Sequence, residues 1–193
     1  MRWLVVVALL LFPSLVNAAS FKFEDESPST VAIYMDGVIV DGDNFALSAL
    51  LRKIPSNKSK VMYLSGPGGK FSEVTKLGGL VRDNDIRTIA VNECASSCAY
   101  VWLAGSKIGV YQGSKVRFHS VSLSDGKTKE ISAQGNAILG AYLAILGYDM
   151  DLVMYVSSVD LDKMITMTYN DSRVLGLNVD YISNPNDVLN FAK

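Results

Sequence analysis

The sequence predicts a layered α/β domain built from repeated strand-helix units around a partly parallel sheet. Three observations carry this expectation. Short β-branched apolar runs alternate with stretches whose apolar residues recur at helical spacing, two strand-turn-helix units follow one another between residues 60 and 104, and a glycine-rich or serine-rich turn joins strand to helix in each. With 193 residues, 49% hydrophobic and 19% charged, the chain is long enough for one domain with a substantial core, expected over residues 31–193.

Taken in order, Met1 and Arg2 precede an apolar run from Trp3 to Phe12, followed by Pro13 and the small-residue stretch Val16-Asn17-Ala18-Ala19. These are the charged start, apolar centre and cleavage site of a secretory signal peptide over residues 1–18. The run is about half the roughly 20 apolar residues that a bilayer span needs, and no later segment is long and apolar enough to span. The expected destination is the bacterial periplasm or the exterior. Loss of Arg2 with the leader would take the net charge from −1 to about −2. No basic block offers the counterion-releasing surface of a nucleic-acid binder, so nucleic acid is excluded as a partner.

Residues 19–30 carry Glu24, Asp25, Glu26 and Pro28 and are expected to be a flexible or edge segment. Val31–Met35 and Val38–Val40 read as a strand pair about the turn dipeptide Asp36-Gly37. Asp43 or Asn44 caps a helix to about Arg52, in which Phe45, Leu47, Leu50 and Leu51 recur at helical spacing. A strand at Lys60–Leu64, a turn at Ser65–Gly69 and a helix at Phe71–Val81 form the first strand-turn-helix unit. The second has a strand at Thr88–Val91 and a helix at Ser96–Ala104. Ile108–Tyr111 and Val116–Phe118 read as short strands, and Ala133–Leu146 as a packing helix.

Two of these turns can carry chemistry. Gly66-Pro67-Gly68-Gly69 permits φ > 0 and leaves backbone N–H groups uncovered, as an anion or oxyanion site requires, although such a turn also serves as a plain tight connection. Cys94-Ala95-Ser96-Ser97-Cys98 puts two hydroxyls at a helix start, where free N–H groups favour a developing oxyanion; the alternative is a serine N-cap. His119, the only histidine, follows the apolar strand Val116–Phe118 and is the one candidate imidazole base; a structural or surface histidine is the alternative. Cys94 and Cys98 have three readings: a disulfide permitted by export, a buried apolar pair, or a Cys98 nucleophile paired with His119. The disulfide requires Cys94 to lie outside the helix, because positions four apart in one helix aim their Cβ atoms poorly. Met150, Met154, Met164 and Met167, with Tyr100 and Trp102, read as core or subunit-contact packing. No metal-ligand cluster is present in the sequence and no cofactor is called for.

Gly66-Pro-Gly-Gly69, then Ala95-Ser96-Ser-Cys-Ala99 leading to Leu103-Ala-Gly105, then Lys115-Val-Arg-Phe-His119, resembles the proteolytic subunit of Clp protease in the Clp protease/crotonase superfamily. A looser likeness continues through Asp171–Leu177 and Asp180-Tyr-Ile182. The Cys-Ala-Ser-x-Cys-Ala segment with its leader is most similar to exported, uncharacterised bacterial Clp-like proteins. The resemblance implies the Clp protease/crotonase-like layered fold of strand-strand-helix units. It makes Ser96 the nucleophile, His119 the general base, and the N–H groups of Ser97 and Gly68 or Gly69 the oxyanion hole. The family's acid falls near Met164, which cannot do that job, so Asp162, with Asp160 as the neighbouring alternative, is taken as the third member after a local register shift, the other reading being that both are solvated helix-face charges.

The expected activity is an exported, ATP-independent serine peptidase-like hydrolase acting on a flexible peptide or small acyl substrate, with no unfoldase ATPase as partner. Two other classes compete with it. One is a catalytically inactive Clp-like binding or assembly module; the other is crotonase-type chemistry on an acyl thioester, which would use carboxylates in place of the serine and histidine. The resemblance also implies a homo-oligomer, with the Ala133–Leu146 helix as its contact.

Overall fold

Both Val61 and its neighbour Met62 are fully buried, although successive strand residues point to opposite faces. A sheet covered on both sides explains this, and such sheets are parallel ones flanked by other layers. The computed structural model describes residues 18–124, 129–159 and 163–184, so residues 1–17 of the expected leader lie outside the described residues.

Five strands run parallel in the spatial order β2 (Thr30–Ile39), β3 (Ser59–Gly69), β4 (Ile86–Ala95), β5 (Ile108–Tyr111) and β10 (Val179–Ile182), and β1 (Ser20–Ser27) adds an antiparallel edge to β2. Helices α1 (Asp43–Leu51), α2 (Phe71–Asp83) and α3 (Ser97–Trp102) make the crossovers that parallel strands require. Their apolar faces, through Leu47, Val74, Leu77, Val81 and Val101, pack on Met62, Leu64 and Ala90 in the main core. A smaller cluster of Val61, Ile89 and Ile182, flanked by Tyr63, Val91 and Tyr111, covers the other face. The remainder is β6 (Lys115–Phe118), the hairpin of β7 (Ser122–Ser124) and β8 (Lys129–Ile131), α4 (Ala133–Ile145), α5 (Met150–Ser157), β9 (Ile165–Thr166) and α6 (Tyr169–Val174). Among the described residues no helix is long and apolar enough to cross a membrane.

Some expectations hold in one of their alternatives and others are corrected. The segment expected to be flexible or an edge is the edge strand: Tyr34 donates to Glu24 at 2.6 Å, Lys58 pairs with Asp25 at 2.5 Å, and Phe21 packs against the core. Asp36-Gly37 does not reverse the chain. β2 continues through it beside β3, with an irregularity between Asp36 and Val38 and Gly37 at φ 116°. The positive φ bends the strand around the glycines of β3: a Cβ on Gly66 would lie 2.2 Å from the Gly37 carbonyl oxygen. The Gly66–Gly69 turn is likewise the extended end of β3, with Gly68 opposite Val38 and Gly69 opposite Ile39. Of the aromatic and methionine group, Tyr100 and Trp102 are buried, Met167 packs against the core, and Met150 and Met154 are exposed. Helix α5 and the β7–β8 hairpin had no counterpart in the sequence reading.

The α2–α4 contact turns on one hydrogen atom. A Cβ on Gly78 would lie 1.9 Å from the Tyr142 hydroxyl, which donates to the Tyr100 carbonyl at 3.0 Å, whereas a Cβ on Gly79 would meet nothing within 4 Å. Gly78→Ala is therefore expected to destabilise by about 1–3 kcal/mol through overpacking. Gly79→Ala, in the same helix, is expected to stabilise by about 0.5–1 kcal/mol, because alanine loses less backbone entropy. Urea unfolding of the two variants reads the opposite signs.

Candidate active site at the end of the fourth strand

β4 changes partner along its length. Thr88–Ala90 pair with β5, and Glu93–Ala95 pair with β6, after a bend at Asn92, whose φ is 54°. Asn is among the few residues that enter the left-handed region readily. Transfer to β6 lets the Ser96 amide donate to the Arg117 carbonyl at 2.9 Å, with His119 two residues further along that partner.

At Ser96 the strand turns into α3. Ser96 has φ 55° and ψ −124°, a conformation L-residues avoid, and its side chain makes no cap hydrogen bond. The N-cap alternative for Ser96 is thereby removed. Such strain persists only where the surroundings over-determine it, and a serine at a sharp strand-to-helix turn is the geometry that exposes a nucleophilic hydroxyl. Four features hold it. The Ser96 amide is fixed to β6, and the Ser96 carbonyl accepts from the Tyr100 amide at 3.2 Å. Gly68 supplies the space, since a Cβ there would lie 2.7 Å from the Ala95 carbonyl oxygen and 2.8 Å from the Ser96 Cβ. Cys94, in β4, is disulfide-bonded to Cys98, in α3. That bond sets aside Cys98 as a nucleophile and meets the condition that Cys94 stand outside the helix.

Ser97 is a different kind of serine. It is buried, and its hydroxyl donates to the Gly69 carbonyl at 2.9 Å, tying the end of β3 to the start of α3. The N–H groups of the first helical turn have no intrahelical acceptor. Gly69, Ser96, Ser97 and His119 border one cavity of about 50 Å³, together with Phe71 and Tyr100. Gly68 is not on its wall and packs against the elbow itself.

His119 is buried and fixed from several directions. Its Nδ1 lies 2.6 Å from the Ser120 carbonyl oxygen. Since a carbonyl only accepts, Nδ1 carries the proton and the lone pair of the neutral ring is on Nε2. The Tyr100 hydroxyl donates to the His119 carbonyl at 2.5 Å, and burial pushes that phenol well above its ordinary value, so it remains a donor. The Ser120 hydroxyl reaches the carbonyls of Ser157 and Val159 at 2.6 and 2.7 Å. Asn136 on α4 mimics a strand neighbour, accepting from the Val121 amide at 3.0 Å and donating to the Val121 carbonyl at 3.1 Å.

The structure thus brings together Ser96, His119, Ser97 and Gly69, places Gly68 behind them, and bridges Cys94 to Cys98. Asp162 and Asp160 lie outside the described residues. Sequence reasoning missed Ser120, Tyr100 and Asn136 as supports of the histidine. Only Asn136 had a signal, lying one helical turn after the N-cap Ser132. Among the described residues no three His, Cys, Asp or Glu side chains gather as a metal site.

A second support was also missed. Glu73, in the first turn of α2, is 1% exposed, accepts from the Asn44 amide at 3.2 Å and pairs with Lys76 at 2.7 Å. It caps α1 from α2 and so fixes both helices that flank the glycine end of β3. Burial alone would raise its pKa; the Lys76 ammonium and the Asn44 and Gly42 amides reverse this and hold it below the ordinary glutamate value. Asp43 beside it accepts from the Val40 amide at 2.8 Å and is shifted up, by burial first and then by the Glu73 charge.

No protein-family model matches the chain, and no curated protein does. Among solved structures, the chain is similar to a serine-to-alanine mutant of 1510-N, a membrane-bound stomatin-specific protease. The TM-score is 0.63 and the identity 16%, over 82% of this chain and 81% of that one. At that identity the likeness establishes the fold, which is the Clp protease/crotonase-like α/β fold with a partly parallel sheet.

The lowered Glu73 pKa fixes a sign. A carboxyl depressed by folding contributes stability above its unfolded pKa and loses it as pH falls through its folded one. Glu73→Gln is expected to destabilise by about 1–2 kcal/mol at neutral pH, the scale of a lost helix cap. The gap to wild type should close as acid takes the solution below the ordinary glutamate range. Chemical denaturation of both proteins across pH reads it.

Proposed function

We propose that the chain is an exported, ATP-independent serine peptidase-like hydrolase that cleaves peptide or ester bonds at Ser96. The observation that carries this is the strained Ser96 backbone at a strand-to-helix elbow, sharing one cavity with a histidine whose proton sits on Nδ1. The Ser96 hydroxyl attacks the substrate carbonyl while His119 Nε2 takes its proton. The N–H groups of Ser97 and Gly69 hold the tetrahedral oxyanion, with Gly68 shaping the elbow beside them. The imidazolium then protonates the leaving amine or alcohol. Water, deprotonated by the same nitrogen, attacks the acyl-serine, and the proton returns to Ser96 as the acid departs.

The Ser120 carbonyl fixes the histidine tautomer, which is the main task of a triad acid, but carries no net charge to stabilise the imidazolium. Asp162 remains the proposed source of that charge. Met164, standing where the family's acid falls, is what favours the second reading, a catalytically inactive binding or assembly module. The Cys94–Cys98 disulfide supports export, since such bonds persist in oxidising compartments. Exposed Ile138 and Ile145 on α4 support self-association.

Fluorophosphonate labelling of the mature protein, read by intact mass, is the test. Ser96→Ala is expected to abolish labelling, His119→Ala to slow it by about 10³-fold or more, and Ser97→Ala to leave the label on Ser96. A well-folded wild type that takes no label overturns the hydrolase in favour of the binding module. Asp162→Asn is expected to slow labelling by less than about tenfold. A carboxylate that alone sets the tautomer would cost far more, on the order of 10⁴.

A further inference from the structure

Cys94 and Cys98 stand two residues before and two residues after Ser96, and both are fully buried. Their Cα atoms are 5.2 Å apart, one next to the last residue of a strand and the other in the first turn of a helix. A ring this small restricts an unfolded chain little, because the entropy removed by a cross-link grows with loop length. As a general staple the bond is therefore poorly placed. As a local clamp it is well placed, because it joins the two arms of the one turn that holds a serine at φ 55° and ψ −124°. The other restraints on Ser96 act from one side each: β6 through the Ser96 amide, α3 through its carbonyl, and Gly68 by close approach. The bridge alone joins both arms covalently.

We propose that the Cys94–Cys98 bridge is a positioning device for the Ser96 nucleophile, making turnover at this site dependent on an oxidising compartment. The proposal rests on the hydrolase reading of Ser96. In a reducing compartment a dithiol would give up two electrons and two protons and leave as its own disulfide. The S–S bond would break and Cys94 Sγ and Cys98 Sγ would each gain a hydrogen. The elbow then keeps its hydrogen bonds but not its covalent tie, and Ser96 can relax toward commoner backbone conformations, withdrawing its hydroxyl from His119. The chain would turn over slowly before export and fully after oxidation, and Cys94 and Cys98 would act through Ser96 without touching substrate.

The experiment measures saturable fluorophosphonate labelling of the mature protein in four states: oxidised, reduced with a phosphine, reoxidised with diamide, and Cys94→Ala/Cys98→Ala. Thiol state is followed by iodoacetamide and intact mass, and fold by circular dichroism and thermal midpoint. The expected result is a maximal labelling rate at least about tenfold lower in the reduced protein and the double variant, the scale on which such strained backbone is disfavoured. Reagent affinity should be unchanged, the fold retained, and the rate should return on reoxidation. Equal maximal rates in oxidised and reduced or double-variant protein overturn the proposal and leave the Ser96 reading standing. Unfolding of both the reduced protein and the double variant also overturns it, since the bond would then be a general staple. If the native protein resists reduction, the folded double variant decides. Absence of any Ser96 label in oxidised wild type overturns the site reading and this inference together.

Discussion

The Ser96 amide donating to the Arg117 carbonyl, at the point where β4 has left β5 and joined β6, is the contact on which the site depends. One hydrogen bond contributes about 1 kcal/mol net, but its value here is register. Parallel pairing of Ala95 with Arg117 sets how far each strand has travelled when it ends, and so sets Ser96 and His119 side by side at one sheet edge. A slip of one residue would turn the side chains of β6 to the opposite face. The bend at Asn92 that permits the change of partner is therefore part of the site, although Asn92 is exposed and borders no cavity described above.

Around that register the structure gathers supports that are backbone-directed more often than side chain to side chain. Tyr100, Ser120 and Asn136 all bind main-chain atoms of the segment 119–121 or its neighbours, and Ser97 binds the main chain of Gly69. A histidine after the end of a strand would otherwise sit on an unrestrained loop. Here Tyr100 of α3 holds the His119 carbonyl, Ser157 of α5 accepts from the Ser120 hydroxyl and Asn136 of α4 pairs with Val121, so three helices fix the segment whose Ser120 carbonyl orients the ring. Glu73 does the equivalent for the other wall, coupling the starts of α1 and α2 on either side of the glycine segment.

The parts legible in the sequence were those with local chemistry. The glycines, the serine pair between two cysteines and the lone histidine each announce a backbone or side-chain property in three or four letters, and the strands and crossover helices announce themselves by period. What was not legible depends on partners far along the chain. Asp36-Gly37 is a turn dipeptide by composition, yet whether φ > 0 reverses a strand or bends it is decided by β3, which brings Gly66 within a Cβ's width of it. Ser120 and Tyr100 carry no signal, since an ordinary serine and a helical tyrosine acquire their roles only when α5 and β6 arrive. Gly68 shows the same limit in reverse. A strand-to-helix turn of the G-x-S-x-G kind carries glycines two residues to either side of its serine, whereas here Cys94 and Cys98 hold those positions and the room is made by a glycine on the neighbouring strand, which no inspection of residues 94–98 alone could reveal.

Trp102 ends the helix that begins beside Ser96. It is fully buried, donates from its indole to the Gly109 carbonyl at 2.8 Å, and shares α3 with Cys98. The sequence holds two tryptophans, and the other, Trp3, belongs to the expected leader. In a chain that starts at Ala19, all indole emission would thus come from one fluorophore within a helical turn of a sulfur atom, and disulfides quench excited indoles by accepting an electron. The protein would then carry its own optical probe of the elbow: intensity would follow the state of the sulfurs, and emission wavelength the dryness of the core behind Ser96, with no label attached.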